Sequence, residues 1–273
     1  MKKIITSAII LTIISGCNGT TPEVDYTPPV VETKKHQQAS TPPVVKVKEE
    51  SPFDIAKKSC LDGNAQGCID FGWIMIDDKD FKLAETAFDM AYNYGDEDGA
   101  MRGNYYIKCL KKDAESCWML GHYFEDGKGG SQDYKLARVA YQNAIDLGDT
   151  NSLGSLAHLY AKGLGGEKSQ VKAAKLFEAS CSAGTTDANY EDCFNAALRY
   201  EKGEGVRQNN FKAVKLYRKA CNGKYAYACN NLGSMYYYGK GVRQDKSTAQ
   251  MYYGKACDMG SDLGCENYAK NNR

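Results

Sequence analysis

The chain is expected to be all-α, an α-solenoid of helix-turn-helix units of about 36 residues held by disulfides. Three observations lead there. Turn glycines recur as Gly127/Gly129, Gly163/Gly165, Gly203/Gly205 and Gly239/Gly241, at steps of 36, 40 and 36 residues. Ten of the eleven cysteines form close pairs, four spaced by eight residues and one by twelve. Between these landmarks apolar residues return at helical spacing. A fixed period of this size marks units that bury their apolar faces only by stacking on neighbours.

The unit is clearest from Cys229 to Cys257. Ala228, Leu232, Met235 and Tyr236 share one helical face, with Leu232 and Tyr236 pointing to the core. Gly239-Lys240-Gly241 breaks that run, and Ala249, Tyr252, Tyr253 and Ala256 share a face of the next helix. Working outward, helix pairs are expected at about 115–126 with 133–147, 152–162 with 169–182, 191–202 with 209–221, and 228–238 with 246–257. The stretch 182–192 is four residues longer than the other junctions, which explains both the 40-residue step and the wider cysteine pair. A single polar-ended helix at about 263–271 closes the array.

The earlier part is less regular. Residues 53–60 read as the second half of a truncated unit. The segment 82–100 lies on 135–153 at a constant offset of 53, so both are second helices followed by the same junction. Tyr92/Ala100 and Ile145/Leu153 take the cysteine positions there, as a packed apolar pair in place of a bridge. One helix, about 97–110, stands where two are due.

Ten cysteines in an exported chain point to disulfides. Eight residues along one helix cover roughly 12 Å, beyond the roughly 7 Å between Cα atoms that a bridge tolerates. Each pair must therefore straddle a reversal. The expected bridges are Cys60 with Cys68, Cys109 with Cys117, Cys181 with Cys193, Cys221 with Cys229, and Cys257 with Cys265. A spacing of eight lacks the close bite of zinc sites, and neither a metal nor another cofactor is expected.

At the amino terminus, Lys2 and Lys3 precede an apolar run from Ile4 to Ile14 and then Ser15-Gly16-Cys17. This resembles a bacterial lipoprotein signal, and the resemblance implies that residues 1–16 are removed and that Cys17 is lipidated. Asn18 in the following position implies the outer membrane, on its periplasmic side. Residues 17–52, with Thr27-Pro28-Pro29 and Thr41-Pro42-Pro43, read as a lipidated start and a flexible tether, leaving 53–273 for the folded array. A formal charge of +1 and a pI near 7.4 give no reason to expect nucleic acid.

Several patterns invite chemistry. The G-x-G turns lie between two helices and recur at the repeat period, so they read as turn geometry and not as phosphate loops. Ser169-Gln-Val-Lys172 matches a Ser-x-x-Lys pattern, but Ser169 falls where a helix cap belongs. His122 and His158 are 36 residues apart and so occupy equivalent rungs of neighbouring units. The first helices thereby present three rows, away from Leu232 and Tyr236. These are Met119, Ser155, Asn195 and Asn231; His122, His158, Leu198 and Ser234; and Asp126, Lys162, Lys202 and Tyr238. Their mixed chemistry suits a protein or peptide partner better than a small-molecule pocket. The twenty tyrosines fall mostly on repeat core positions and argue for packing.

Leu232-Gly233, Tyr236, Gly239-Lys240-Gly241-Val242 and Lys255-Ala256-Cys257 resemble the Sel1-like repeat family, as do Tyr200, Gly203-Glu204-Gly205-Val206 and Lys219-Ala220-Cys221. Gly129-Gly130 and Gly165-Gly166 depart from the family pattern by replacing valine. The cysteine spacing is similar to that of the Helicobacter cysteine-rich subgroup. The resemblance implies an α-solenoid with its first helices on the concave side. It also implies a protein-binding scaffold or adaptor without catalysis, with an immunity lipoprotein against a secreted phospholipase among the family's roles. The subgroup adds an alternative, penicillin binding or slow β-lactamase activity, with a peptidoglycan-related or β-lactam ligand.

Overall fold

The computed structural model describes residues 50–184 and 186–271, and Cys17, the signal and most of the tether lie outside them. The described residues hold thirteen helices and no strand. A compact unit runs Pro52–Arg273. Its helices are α1 (Pro52–Leu61), α2 (Ala65–Asp77), α3 (Phe81–Asn93), α4 (Glu97–Leu110), α5 (Ala114–Asp126), α6 (Tyr134–Asp146) and α7 (Ser152–Lys162). They continue with α8 (Gln170–Ala183), α9 (Asp187–Lys202), α10 (Asn210–Asn222), α11 (Ala226–Tyr238), α12 (Lys246–Asp258) and α13 (Asp262–Asn271). Each packs on its neighbours in sequence, the arrangement of a solenoid.

Local chemistry sets the helix limits. Asp80, Asp133, Ser169, Asn209 and Asp245 each accept a first-turn backbone N–H at the start of a second helix. The first helices end on Gly127, Gly163, Gly203 and Gly239, with φ of 73°, 78°, 75° and 69°, a left-handed region that glycine enters at little cost. The second glycine of each turn has a different task. A Cβ on Gly129, Gly165 or Gly205 would stand 2.2 Å from backbone of Asp98, Tyr134 or Gln170. The turn of each unit thus abuts the first turn of the preceding unit's second helix, and the bare backbone permits that approach. The G-x-G motif is therefore a seam between units as well as a bend within one.

Inside each hairpin, a small residue on the first helix faces an aromatic ring on the second. Gly121 lies against Tyr141, Gly233 against Tyr253 and Gly72 against Phe88, where an added Cβ would meet ring atoms at 2.4, 2.8 and 2.5 Å. Ala157 and Ala197 hold the equivalent positions before Phe177 and Tyr217, all four being fully buried. These rings, with Leu120, Leu156, Leu159, Leu232 and Met235, are among the largest side chains removed from solvent.

The five bridges pair as expected: Cys60–Cys68, Cys109–Cys117, Cys181–Cys193, Cys221–Cys229 and Cys257–Cys265, with Cα separations of 4.3 to 4.6 Å. Each ties the end of one helix to the start of the next. The helix α4 resolves the irregular region. Gly103 on α4 also lies against the Phe88 ring, as a following first helix should, while Asp98 receives Gly129 as a preceding second helix should. One helix serves both functions where two were due.

Three expectations need correction and a fourth holds in part. Helix α9 starts at Asp187 and not near Glu191, because Thr186 and Asn189 form a capping box inside the longer junction. Tyr236 packs against the core cluster as expected but stays half-buried, stacking on Tyr252 at 5.6 Å. Tyr92 is 49% exposed although Ala100 is buried, so no apolar pair replaces the bridge there; Asp96 instead caps α4 through Gly99. Of the described tyrosines, the core holds Tyr106, Tyr123, Tyr141, Tyr217 and Tyr253, and the rest are partly or fully exposed.

Candidate docking surface on the first helices

The rows expected on the first helices lie at the boundary between core and solvent. Met119, Ser155, Asn195 and Asn231 are half-buried, as are His122, His158, Leu198 and Ser234, and Asp126, Lys162, Lys202 and Tyr238 are exposed. Equivalence by repeat makes them rungs of one ladder, although Leu198 leans into the core cluster around Tyr217.

The rungs are joined by tyrosine hydroxyls that the rows alone do not reveal. Tyr141 donates to Glu125 on the first helix of its own unit at 2.7 Å. Tyr217 repeats the arrangement, donating to Glu201 at 2.6 Å and accepting from Asn231 of the next unit at 3.3 Å. Tyr253 is within 3.1 Å of Ser234. Burial raises the pKa of Tyr141 and Tyr217, and the acceptor glutamate beside each raises it further, so both stay protonated donors. The pairs Glu125/Tyr141 and Glu201/Tyr217 recur 76 residues apart, a signal present in the sequence. In the intervening unit Ala161 and Phe177 take those positions.

The histidines are packed against rings. His122 lies edge-on between Trp118 at 4.9 Å and Tyr141 at 5.4 Å, and His158 against Phe177 at 4.8 Å. Burial lowers the pKa of His158, with Glu191 opposing and Lys162 and Arg199 assisting, so it is neutral at pH 7. Neither histidine joins a cluster of three potential metal ligands among the described residues.

A second polar group, not foreseen, sits under the ladder at the long junction. Ser180 on α8 donates to the buried Asp192 on α9 at 2.5 Å, and Asn189 donates to the Ser180 carbonyl at 3.0 Å. Asp192 also stands where a Cβ on Gly154 would go. Burial pushes its carboxyl up to about 6, against the pull of the Ser180 hydroxyl. The Ser169 hydroxyl accepts from the Lys172 backbone at 3.3 Å, as a cap, and the Lys172 ammonium lies 4.9 Å over Tyr160. Both groups of the Ser-x-x-Lys pattern are engaged in structure.

Comparison with known proteins agrees with this geometry. The Sel1 repeat model matches residues 114–149, 152–185, 191–225 and 226–261, together more than half of the chain. No curated protein matches. The fold is similar to that of a protective antigen present in uropathogenic Escherichia coli strains and displaying an SLR fold, at 18% identity and a TM-score of 0.59, over 80% of this chain. This chain spans only 51% of that antigen. A Sel1 repeat protein from Oxalobacter formigenes is 18% identical with a TM-score of 0.51, covering 77% of each chain. Helicobacter pylori cysteine rich protein B is 24% identical over 47% of this chain and 95% of its own, with a TM-score of 0.37. The chain belongs to the Sel1 repeat family, whose arrays are protein-interaction scaffolds.

Proposed function

We propose that this chain is an envelope lipoprotein that holds a protein partner along its first helices and has no catalytic step of its own. The observation that carries the reading is the ladder itself. Donors, acceptors and half-buried apolar groups recur at equivalent rungs of successive units, from Met119 to Tyr238, which suits an extended protein surface. The groups with the most shifted titration, Tyr141, Tyr217 and Asp192, are held in hydrogen bonds within the helix stack. The signal-like segment 1–16, lipidation of Cys17 and a tether over 17–52 supply the anchor in this proposal, with the array on the periplasmic side of the outer membrane.

Within that class, a secreted phospholipase-type effector is the partner that the resemblance to immunity lipoproteins offers. The test is affinity capture from envelope extracts and from purified effector, with the disulfide-bonded array and an Asn231→Arg/Ser234→Arg variant as baits. Retention by the parent and loss by the variant supports the proposal. Equal retention by both, or covalent labelling of the array by a fluorescent penicillin, replaces it.

A further inference from the structure

The chain is nearly neutral, with a formal charge of +1, yet its charges are sorted by helix type. Second helices α6, α8, α10 and α12 carry ten Lys and Arg against three Asp and Glu. First helices α5, α7, α9 and α11 carry three Lys and Arg against seven Asp and Glu. Four of the ten cations are held by polar groups of the array. Arg138 clamps the next turn, Lys212 pairs with Glu178, Lys219 donates to the Cys181 carbonyl and Arg218 donates to the Tyr236 hydroxyl. The other six are exposed, Lys172, Lys215, Lys246 and Lys255 lying over aromatic rings, and none has a carboxylate within ion-pair distance among the described residues.

Lys255 stands in the last turn of its helix, where the dipole favours a cation, but helix stability does not account for the cations at the helix starts. The N-terminus of a helix favours anions, yet none of these four helices has an acidic residue in its first turn, where Lys135, Lys172, Lys212 and Lys246 stand instead. Exposed apolar side chains sit among the cations: Val171 at 50% exposure and Phe211 at 60%, both the second residue of their helices, with Met251 at 47% on α12. Stacking places equivalent helices on one side of the array, so these residues share a broad outer face, opposite in sign to the first helices taken as a whole.

We propose that this second-helix face docks on an anionic phospholipid surface. The cations meet headgroup phosphates, and Val171 and Phe211 enter the headgroup boundary, the pairing of basic and apolar groups that interfacial proteins use. The affinity resides in the array and does not depend on lipidation of Cys17, although a tether from that position would bring the same face to a membrane. Docking this way leaves the first helices free.

The experiment uses the disulfide-bonded chain from Asn18 onward, which carries no lipid, with vesicles of neutral phosphatidylcholine and vesicles containing 30% phosphatidylglycerol. Sedimentation with the anionic vesicles alone, released by high salt, is expected. A Lys175→Glu/Lys215→Glu/Lys246→Glu variant is expected to bind at least about 100-fold more weakly, since each surface cation contributes roughly five-fold. All three side chains are exposed, so melting and circular dichroism should match the parent. Phe211→Ser is expected to weaken binding without changing its salt dependence. Absence of binding to anionic vesicles, equal binding to neutral ones, equal binding by the triple variant, or retention on a soluble polyanion without vesicle binding would each overturn the proposal.

Discussion

The Arg138 guanidinium stands 3.1 Å from where a Cβ on Gly166 would lie, and its nitrogens donate to the Leu159 and Glu167 carbonyls at 3.0 and 3.3 Å. It also covers Tyr160 at 4.3 Å. One unit earlier, Arg102 does the same to the turn at Gly130, donating to Lys128 and Ser131 and covering Phe124. The later units have Ala174 and Val214 at the arginine position, and Val206 and Val242 at the glycine position. The family valine is thus absent only where an arginine from the preceding helix fills its space.

Arg138→Ala is accordingly expected to lower stability by about 1 kcal/mol, because it removes the guanidinium bonds that tie the next turn to α6 and uncovers Tyr160, while the Leu159 carbonyl keeps its Gly163 and Leu164 backbone partners. Arg138→Lys should recover little, since an ammonium cannot both reach two carbonyls and lie flat on Tyr160. Urea unfolding with a constant m-value checks both.

The junction staples are expected to contribute unequally to the folded state and the unfolded chain. Replacing Cys221 and Cys229 together with Ala should cost about 2.5 kcal/mol through restored chain entropy. The Ile145/Leu153 junction already stands without a bridge, held by Asp149, which accepts from the Ser152 backbone and hydroxyl at 2.7 and 2.6 Å. Asp149→Ala there should cost about 1 kcal/mol. Thermal melts in oxidising buffer compare the two.

Asp192 predicts a pH signature. Its folded carboxyl titrates at about 6, above the usual carboxylate range, so the folded state binds the proton more tightly than the unfolded chain. Stability from this group is therefore fully present below about pH 4 and is lost as pH rises to about 6. Asp192→Asn should remove that slope and leave the protein as stable as the parent, or more so, at pH 7. Glu191 and Asn195 from the same helix, Ser180 from α8 and Arg199 two turns on are the groups that face it, and they remain in place. Denaturant midpoints at pH 4, 5, 6 and 7 for both proteins decide the point.

In the hairpin interior, Gly121→Ala should cost about 2 kcal/mol or more, because the added methyl meets the Tyr141 ring. Ala157→Gly, at the equivalent position before Phe177, should cost less, roughly 1 kcal/mol, through backbone entropy and lost contact. Their difference in urea midpoint is the readout.

Most of the architecture was legible because it rests on local signals. Turn glycines, cap residues and the sulfur spacing each constrain a few neighbouring residues, and together they place the helices after Cys109 and pair all ten cysteines. The start of α9 was missed because a capping box competes with the repeat register inside the long junction. The ladder rows followed from equivalence, but the hydroxyl links did not. Tyr141 is a core residue by burial whose hydroxyl reaches the half-buried Glu125 carboxylate, a division that periodicity does not express. The Ser180–Asp192 pair joins two helices through one contact, and only packing reveals it. The exchange of Arg138 and Gly166 for Ala174 and Val206 was within reach, since both members change together along the chain.

The most direct test of the account places a photo-crosslinking amino acid singly at Ser155, Asn231 or Ser234 on the ladder, or at Phe211 on the second-helix face, in intact cells. The account predicts one discrete protein adduct shared by the three ladder positions, and lipid adducts without that protein from Phe211. Adducts to that protein from Phe211 alone, or none from any ladder position, would contradict it.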